Sequence, residues 1–179
     1  MLRMEFADEF VSRFRWIDGH ADVLGLFADG TFLRRAAEAL AAPFESVPLA
    51  GVAAVEARGF ILGTAVALHL GVGFVPIRKR GAIHPGAKAT VRAAADWRGN
   101  HPELVLQRQA ITANDPMLLV DDWIETGSQA LAAQKLIEEC GGRWAGLSVL
   151  VDQSEPAVRQ RLEPVAAVVT FEALPPSAG

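Results

Sequence analysis

The sequence is short of several things, and each shortage removes a class of answer. It holds one cysteine, Cys140, which excludes an internal disulfide and suits a reducing compartment. Cys140 stands near an expected helix end, just before Gly141, where packing is its expected role. No run is long and apolar enough to span a bilayer, although 51 % of the 179 residues are hydrophobic. That apolar fraction instead suffices for one domain with a sizeable core. The opening MLRMEFADEF puts acids where a secretion signal needs an apolar stretch, so a cytoplasmic location with no membrane partner is expected. Excess positive charge is also missing. Lys and Arg number 17 against 21 Asp and Glu, a net charge of −4, which argues against a nucleic-acid partner. An anionic ligand would have to be met by local positive groups. Basic residues are scattered except at Arg78, Lys79 and Arg80. Internal repeats are absent, and the only low-complexity stretch is the tail 175–179, expected to fray.

What is present is an alternation of short apolar runs with helical patterns. Apolar residues at 6, 10, 11 and 14 have helical spacing, and Asp18-Gly19-His20 reads as a turn. Residues 23, 24, 26 and 27 form a short apolar patch, and a helix is expected from about 31 to 41. The run 51–55 reads as a buried strand, 60–70 as a helix stopped by Gly71, and 73–77 as a third element, a strand ending at the basic cluster. From Gly81 to Asn100 periodicity is lost, and a stretch so long without a pattern reads as a lid. Residues 103–107 read as an edge strand. Residues 147–151 and 165–170 read as strands, separated by a short helix with Ser154 as its cap and Pro156 near its start. Strands alternating with helices predict an α/β fold with a mostly parallel central sheet and helices on both faces. In such sheets ligands bind beyond the carboxyl ends of the strands. The turns after Val55, Ile77 and Val120 then share one edge.

The most informative stretch is MLLVDDWIETGSQA, residues 117–130. Four apolar residues form a strand, Asp121 and Asp122 follow, and a small polar turn leads into a helix that Gly141 and Gly142 end. The free N–H groups of such a turn and first helical turn attract a phosphate. Gly127 lets the backbone come close to it. Paired carboxylates at a strand end can hold ribose hydroxyls, directly or through Mg²⁺. Taken alone, the local pattern also fits a solvated loop with a helix cap.

This stretch resembles the phosphoribosyl pyrophosphate (PRPP) loop of type I phosphoribosyltransferases. A second stretch, VEARGFILGTAVALHLGVGFVPIRKRG at 55–81, resembles adenine phosphoribosyltransferases in its turn, helix and Arg-Lys-bearing strand end. Weaker similarity covers about 20–172. The resemblance implies a single phosphoribosyltransferase domain over 1–179, with a small hood built from the N-terminus (about 1–30) and the C-terminus, and a flexible lid at about 81–100. It implies transfer of the phosphoribosyl group of PRPP to a purine, adenine first among them, with release of pyrophosphate. Mg²⁺ is the implied cofactor, PRPP and a nucleobase the implied partners, and a homodimer the implied assembly. By the same resemblance, Asp121 and Asp122 would hold the ribose hydroxyls and the metal. Glu125, Thr126, Gly127, Ser128 and Gln129 would cradle the 5′-phosphate. Glu56, Ala57 and Arg58 would form the pyrophosphate loop, with Lys79 facing it. His20, Asp22, Val23 and Gln153 would form the base pocket, and Asp96 of the lid would serve as acid/base.

The sequence also departs from that pattern. Glu125 brings negative charge to a phosphate turn, Ser128 stands where a glycine is usual, and Gln129 replaces a hydroxyl. Asp96-Trp97 stands for a Glu-Tyr pair. His20 and Gln153 replace apolar residues of the base pocket, which predicts a changed base preference or a polar ligand other than adenine. Two other readings follow: a non-catalytic sensor that binds PRPP or a nucleotide in the same fold, and a phosphoribosyltransferase for another base.

Overall fold

The computed structural model describes residues 2–81 and 85–177. The chain opens with helix α1 (Leu2–Arg13), a small hairpin of β1 (Trp16–Ile17) and β2 (His20–Ala21), and helices α2 (Val23–Phe27) and α3 (Gly30–Ala41). Then come β3 (Gly51–Val55), α4 (Arg58–Leu70), β4 (Gly73–Lys79), β5 (Lys88–Arg92) and β6 (Glu103–Gln107). The chain continues through β7 (Pro116–Ile124), α5 (Ser128–Glu139), β8 (Arg143–Asp152), α6 (Pro156–Arg161) and β9 (Val165–Thr170). Among the described residues, seven strands form one sheet in the order β5-β6-β4-β3-β7-β8-β9. The pairs from β4 through β3, β7 and β8 to β9 are parallel, whereas β6 runs antiparallel to both β4 and β5. No helix among these residues is long and apolar enough to cross a membrane.

The pleat divides the core. Val52, Leu118, Val120 and Leu150 face α1, α3 and α4, where Phe6, Phe10, Phe14, Phe32, Leu40 and Leu62 are buried. Ala53, Leu119, Leu147 and Val149 face α5, with Ala133, Leu136 and Ile137 buried beneath them. Helices therefore cover both faces, as expected for strands buried on both sides. All five residues of β3 are buried. The expected spacing at 6, 10, 11 and 14 buries Phe6, Phe10 and Phe14, with Phe6 and Phe10 on α1 packed against Phe32.

Several expectations need correction. The patternless stretch 81–100 is not loop throughout: Lys88–Arg92 pairs with β6 in alternating exposure, burying Ala89 and Val91. It was hidden because only two small apolar residues mark its inner face. Glu103–Gln107 consequently lies one strand in from the edge. Residues 82–84 of the expected lid lie outside the described residues. Ser154 does not cap α6. Its hydroxyl donates to Asp152 Oδ1 at 2.6 Å, and Glu155 is the cap residue, with no side-chain bond. Strand β7 runs past the acidic pair to Ile124. The tail is anchored at Pro175, whose carbonyl accepts from Trp16 Nε1 at 2.8 Å, while 178–179 lie outside the described residues.

Candidate active site

The turns after β3, β4 and β7 meet at one edge of the sheet and line a cleft of about 720 Å³, within the usual range for a small-molecule site. The cleft has two ends. One is built from Glu56–Gly59, Lys79, Asp121, Asp122 and Ile124–Ala130. The other is built from Trp16 and Gly19–Ala21 of the hairpin, Asp96–Arg98, Trp123, Gln153 and Phe171.

Two helix N-termini point their first turns into the first end. Helices α2 and α3, away from the cleft, are capped by Asp22 and Asp29, whose carboxylates accept main-chain N–H groups. Helix α4 begins after Ala57 without a side-chain cap bond, and at α5 Gly127 has no side chain to offer, Thr126 Oγ1 accepting only the Ser128 N–H at 3.3 Å. The remaining N–H groups of the two first turns are left for an anionic ligand. At α5 the hydroxyl of Thr126 lies 3.1 Å from that of Ser128, which tightens the turn. Gly127 has φ +69°, and a Cβ there would stand 2.2 Å from Val158. The positive φ therefore falls on Gly127, and Ser128 starts the helix, so a serine in place of the usual glycine brings no positive-φ strain. Gly59 serves by its smallness: a Cβ there would meet Asp121 Oδ1 at 3.1 Å, so α4 can start against the carboxylate.

The acidic pair is electrostatically uncomfortable. Desolvation, reinforced by the neighbouring Asp122 charge, pushes the Asp121 carboxyl well above the usual carboxylate range. Desolvation raises Asp122 too, against the pull of Arg58. The Arg58 Nε lies 3.0 Å from Asp122 Oδ2, yet outside hydrogen-bond geometry, so that buried oxygen has no hydrogen-bond partner. A divalent cation suits this arrangement, because it would satisfy the orphaned oxygen and relieve the repulsion of two carboxylates. No group of three or more His, Cys, Asp or Glu gathers around a metal position among the described residues. A cation here would therefore need most of its ligands from substrate and water, which is the habit of Mg²⁺ bound with phosphates.

Around the pair the charges sort themselves. Glu56 accepts from the Lys79 N–H at 2.6 Å and pairs with Arg78 at 3.1 Å. Burial would raise its carboxyl, but these partners hold it below its usual range. Arg80 pairs with Glu103 at 2.7 Å. Lys79 lines the cleft and makes no ion pair among the described residues. Glu56 therefore braces the loop, and Ala57 with the start of α4 presents the backbone.

At the other end, four aromatic rings gather. Trp123 lies 6.1 Å from Trp16, 6.0 Å from Phe171 and 6.3 Å from Phe14, centroid to centroid. Trp16 and Trp123 were not singled out from the sequence. Trp123 sits inside the MLLVDDWIETGSQA stretch, and strand alternation after the acidic pair was the signal that could have found it. His20 and Gln153 line the cleft as expected, but Asp22 and Val23 do not. Val23 is fully buried in the core, and Asp22 spends its carboxylate on Gly25 N–H at 2.8 Å, because α2 starts at once after the hairpin. Asp96 lines the cleft but caps its own turn. Its carboxylate accepts from the N–H groups of Arg98 and Asn100 at 2.9 and 2.8 Å. Desolvation would raise it, and these bonds hold it below its usual range instead. Glu125 also lines the cleft, without a hydrogen-bond or ion-pair partner among the described residues.

Residues 33–170 match the phosphoribosyl transferase domain. Adenine phosphoribosyltransferase of Cereibacter sphaeroides is 42 % identical over 157 residues, covering 86 % of each chain. The adenine phosphoribosyltransferase structure from Rhodothermus marinus superposes with a TM-score of 0.81 at 29 % identity, over 93 % of this chain and 99 % of that one. The Giardia lamblia enzyme, solved with 9-deazaadenine, gives 0.82 at 27 % identity over 92 % and 97 %.

Proposed function

Because the chain belongs to the phosphoribosyltransferase family, with adenine phosphoribosyltransferases among its relatives, we propose that it transfers the 5-phosphoribosyl group of PRPP to a purine, adenine foremost. The observation that carries the reading is the first end of the cleft: two helix N-termini whose cap residues make no side-chain bond, beside one adjacent pair of carboxylates. A ring nitrogen of the base attacks the anomeric carbon, the bond from that carbon to the pyrophosphate oxygen breaks, and pyrophosphate leaves with the bonding pair. The sugar carries oxocarbenium-like positive charge at the transition state. The main-chain N–H groups at the start of α5 suit the 5′-phosphate, and those at the start of α4 with Arg58 and Lys79 suit the leaving pyrophosphate. Asp121 and Asp122 orient the ribose hydroxyls and lie where positive charge develops.

Mg²⁺ is proposed as the companion of PRPP, held by Asp121 and Asp122; when bound it supplies charge neutralisation for the departing pyrophosphate. The base must also lose a proton. Asp96 has its oxygens engaged by its own turn, whereas Glu125 is unpartnered in the cleft beside the sugar acids. Glu125 is the better placed acceptor, and its position beside the phosphate turn then has a use. A homodimer is also proposed. Ile61 and Leu68, seven residues apart on α4, are 39 % and 77 % exposed, an apolar face that sedimentation would find covered.

The test is to incubate the protein with PRPP, Mg²⁺ and adenine and to quantify AMP and pyrophosphate. Equal amounts of both support the reading. Turnover with another base moves the substrate but keeps the reaction. PRPP binding without pyrophosphate from any base indicates the sensor.

A further inference from the structure

The end of the cleft opposite the phosphate turns holds one polar contact that fixes a direction. Trp123 Nε1 lies 2.9 Å from Gln153 Oε1. An indole N–H can only donate, so it takes the oxygen of the Gln153 amide. The –NH₂ of Gln153 is thereby turned away from Trp123 and has no hydrogen-bond partner among the described residues, on a side chain that lines the cleft. The pair is rigidly mounted. Trp123 is in register with Val151, and the Gln153 N–H donates to the Ile124 carbonyl at 2.8 Å. The Trp123 ring is itself held among Trp16, Phe171 and Phe14.

We propose that Gln153, oriented by the Trp123 indole, is a specificity-determining donor that reads one hydrogen-bond acceptor of the nucleobase, a bare ring nitrogen or an exocyclic carbonyl. This rests on the reading that the base occupies the aromatic end of the cleft. A donor fixed in direction favours a purine that offers an acceptor there and rejects one that offers N–H or C–H, since the amide N–H then loses its water without gaining a partner. Gln153→Glu is the sharpest variant. It keeps the size and still accepts from Trp123, but it exchanges the donor for an acceptor. Trp123→Phe keeps the ring and releases the amide to rotate.

The experiment is calorimetric binding, which needs no turnover, of adenine, its 1-, 3- and 7-deaza analogues and hypoxanthine, in the presence of pyrophosphate. Each deaza analogue deletes one ring acceptor. The expected result is that one ligand change costs the wild type about tenfold in affinity and costs Gln153→Leu and Gln153→Glu almost nothing, with Trp123→Phe in between. If all ligands weaken by one common factor in both Gln153 variants, or none changes, the donor role is overturned. Parallel assays of PRPP-dependent pyrophosphate release separate the two readings. Coupling without turnover leaves Gln153 as a reader in a protein that is not a transferase, and turnover without coupling leaves the transferase and removes the reader.

Discussion

The end of the cleft proposed for phosphate and the aromatic end hang from different parts of the molecule. The first grows directly from β3 and β7, central strands with apolar residues fully buried on both faces, and each of its loops continues into a helix of the core. The second is assembled from the hairpin 16–21, the tips of β7 and β8, the segment 96–98 and Phe171. Trp16, Trp123 and Phe171 are joined by ring contacts, Gln153 by its bond to Trp123, and the hairpin by the Trp16 bond to Pro175. Geometry set by the sheet is difficult to alter without unfolding it. Geometry set by peripheral rings can change with single side chains. On the proposed reading the sugar and phosphate chemistry sits on the sheet, and this chain's own character lies at the periphery and in Glu125, Ser128 and Gln129 of the turn.

That division can be broken from the strong side first. Asp121→Asn is expected to lower pyrophosphate release about 10²–10³-fold while raising the thermal midpoint of the ligand-free protein by a few degrees, the scale of about 1 kcal/mol for a chain of this length. The sign follows from linkage. Desolvation lifts the folded-state pKa of Asp121 above its unfolded value, so stability is lost as pH rises through the folded value. Above that folded value the buried charge is a cost that Asn removes, and a lowered midpoint would show that the pair stabilises the fold. Glu125→Gln comes next, at about 10²-fold in kcat. A loss confined to the KM for PRPP would make Glu125 a phosphate neighbour only. Gly127→Val should weaken PRPP binding about tenfold and cost about 1–3 kcal/mol in urea unfolding, through the clash with Val158 and the positive φ. Smallest is Asp96→Asn, expected to change kcat less than about threefold, since its oxygens serve its own turn. A larger loss, with a shifted pH profile, would return the acid/base role to Asp96.

The same division explains what the sequence made legible. Residues 51–59 and 117–130 join short buried strands to small-residue turns, and 77–80 ends a strand on a basic cluster; a pattern carried by consecutive residues can be read from one chain. Their placement at a shared edge followed from the parallel sheet alone. The aromatic end was legible only in part, because its residues come from distant segments. Trp16 and Phe171 carry no signal until the fold joins them to Trp123, which strand alternation past the acidic pair alone marks. Asp22 and Val23 were misjudged because α2 starts without a spacer after the hairpin, so Asp22 becomes a cap and Val23 core. The strand 88–92 escaped because Ala89 and Val91 are its whole inner face. Ser154 looked like a cap, but Asp152, bound also to Arg159, claimed its hydroxyl.

The most direct test of the two-ended account is the dissociation constant of PRPP, measured with Mg²⁺ and without base, for the wild type and for the Trp16→Ala/Gln153→Leu double variant. The account predicts PRPP affinity unchanged within about twofold, while base binding by the same variant falls about tenfold or more. An equal loss of PRPP affinity would contradict it, because the aromatic end would then be holding up the phosphate end.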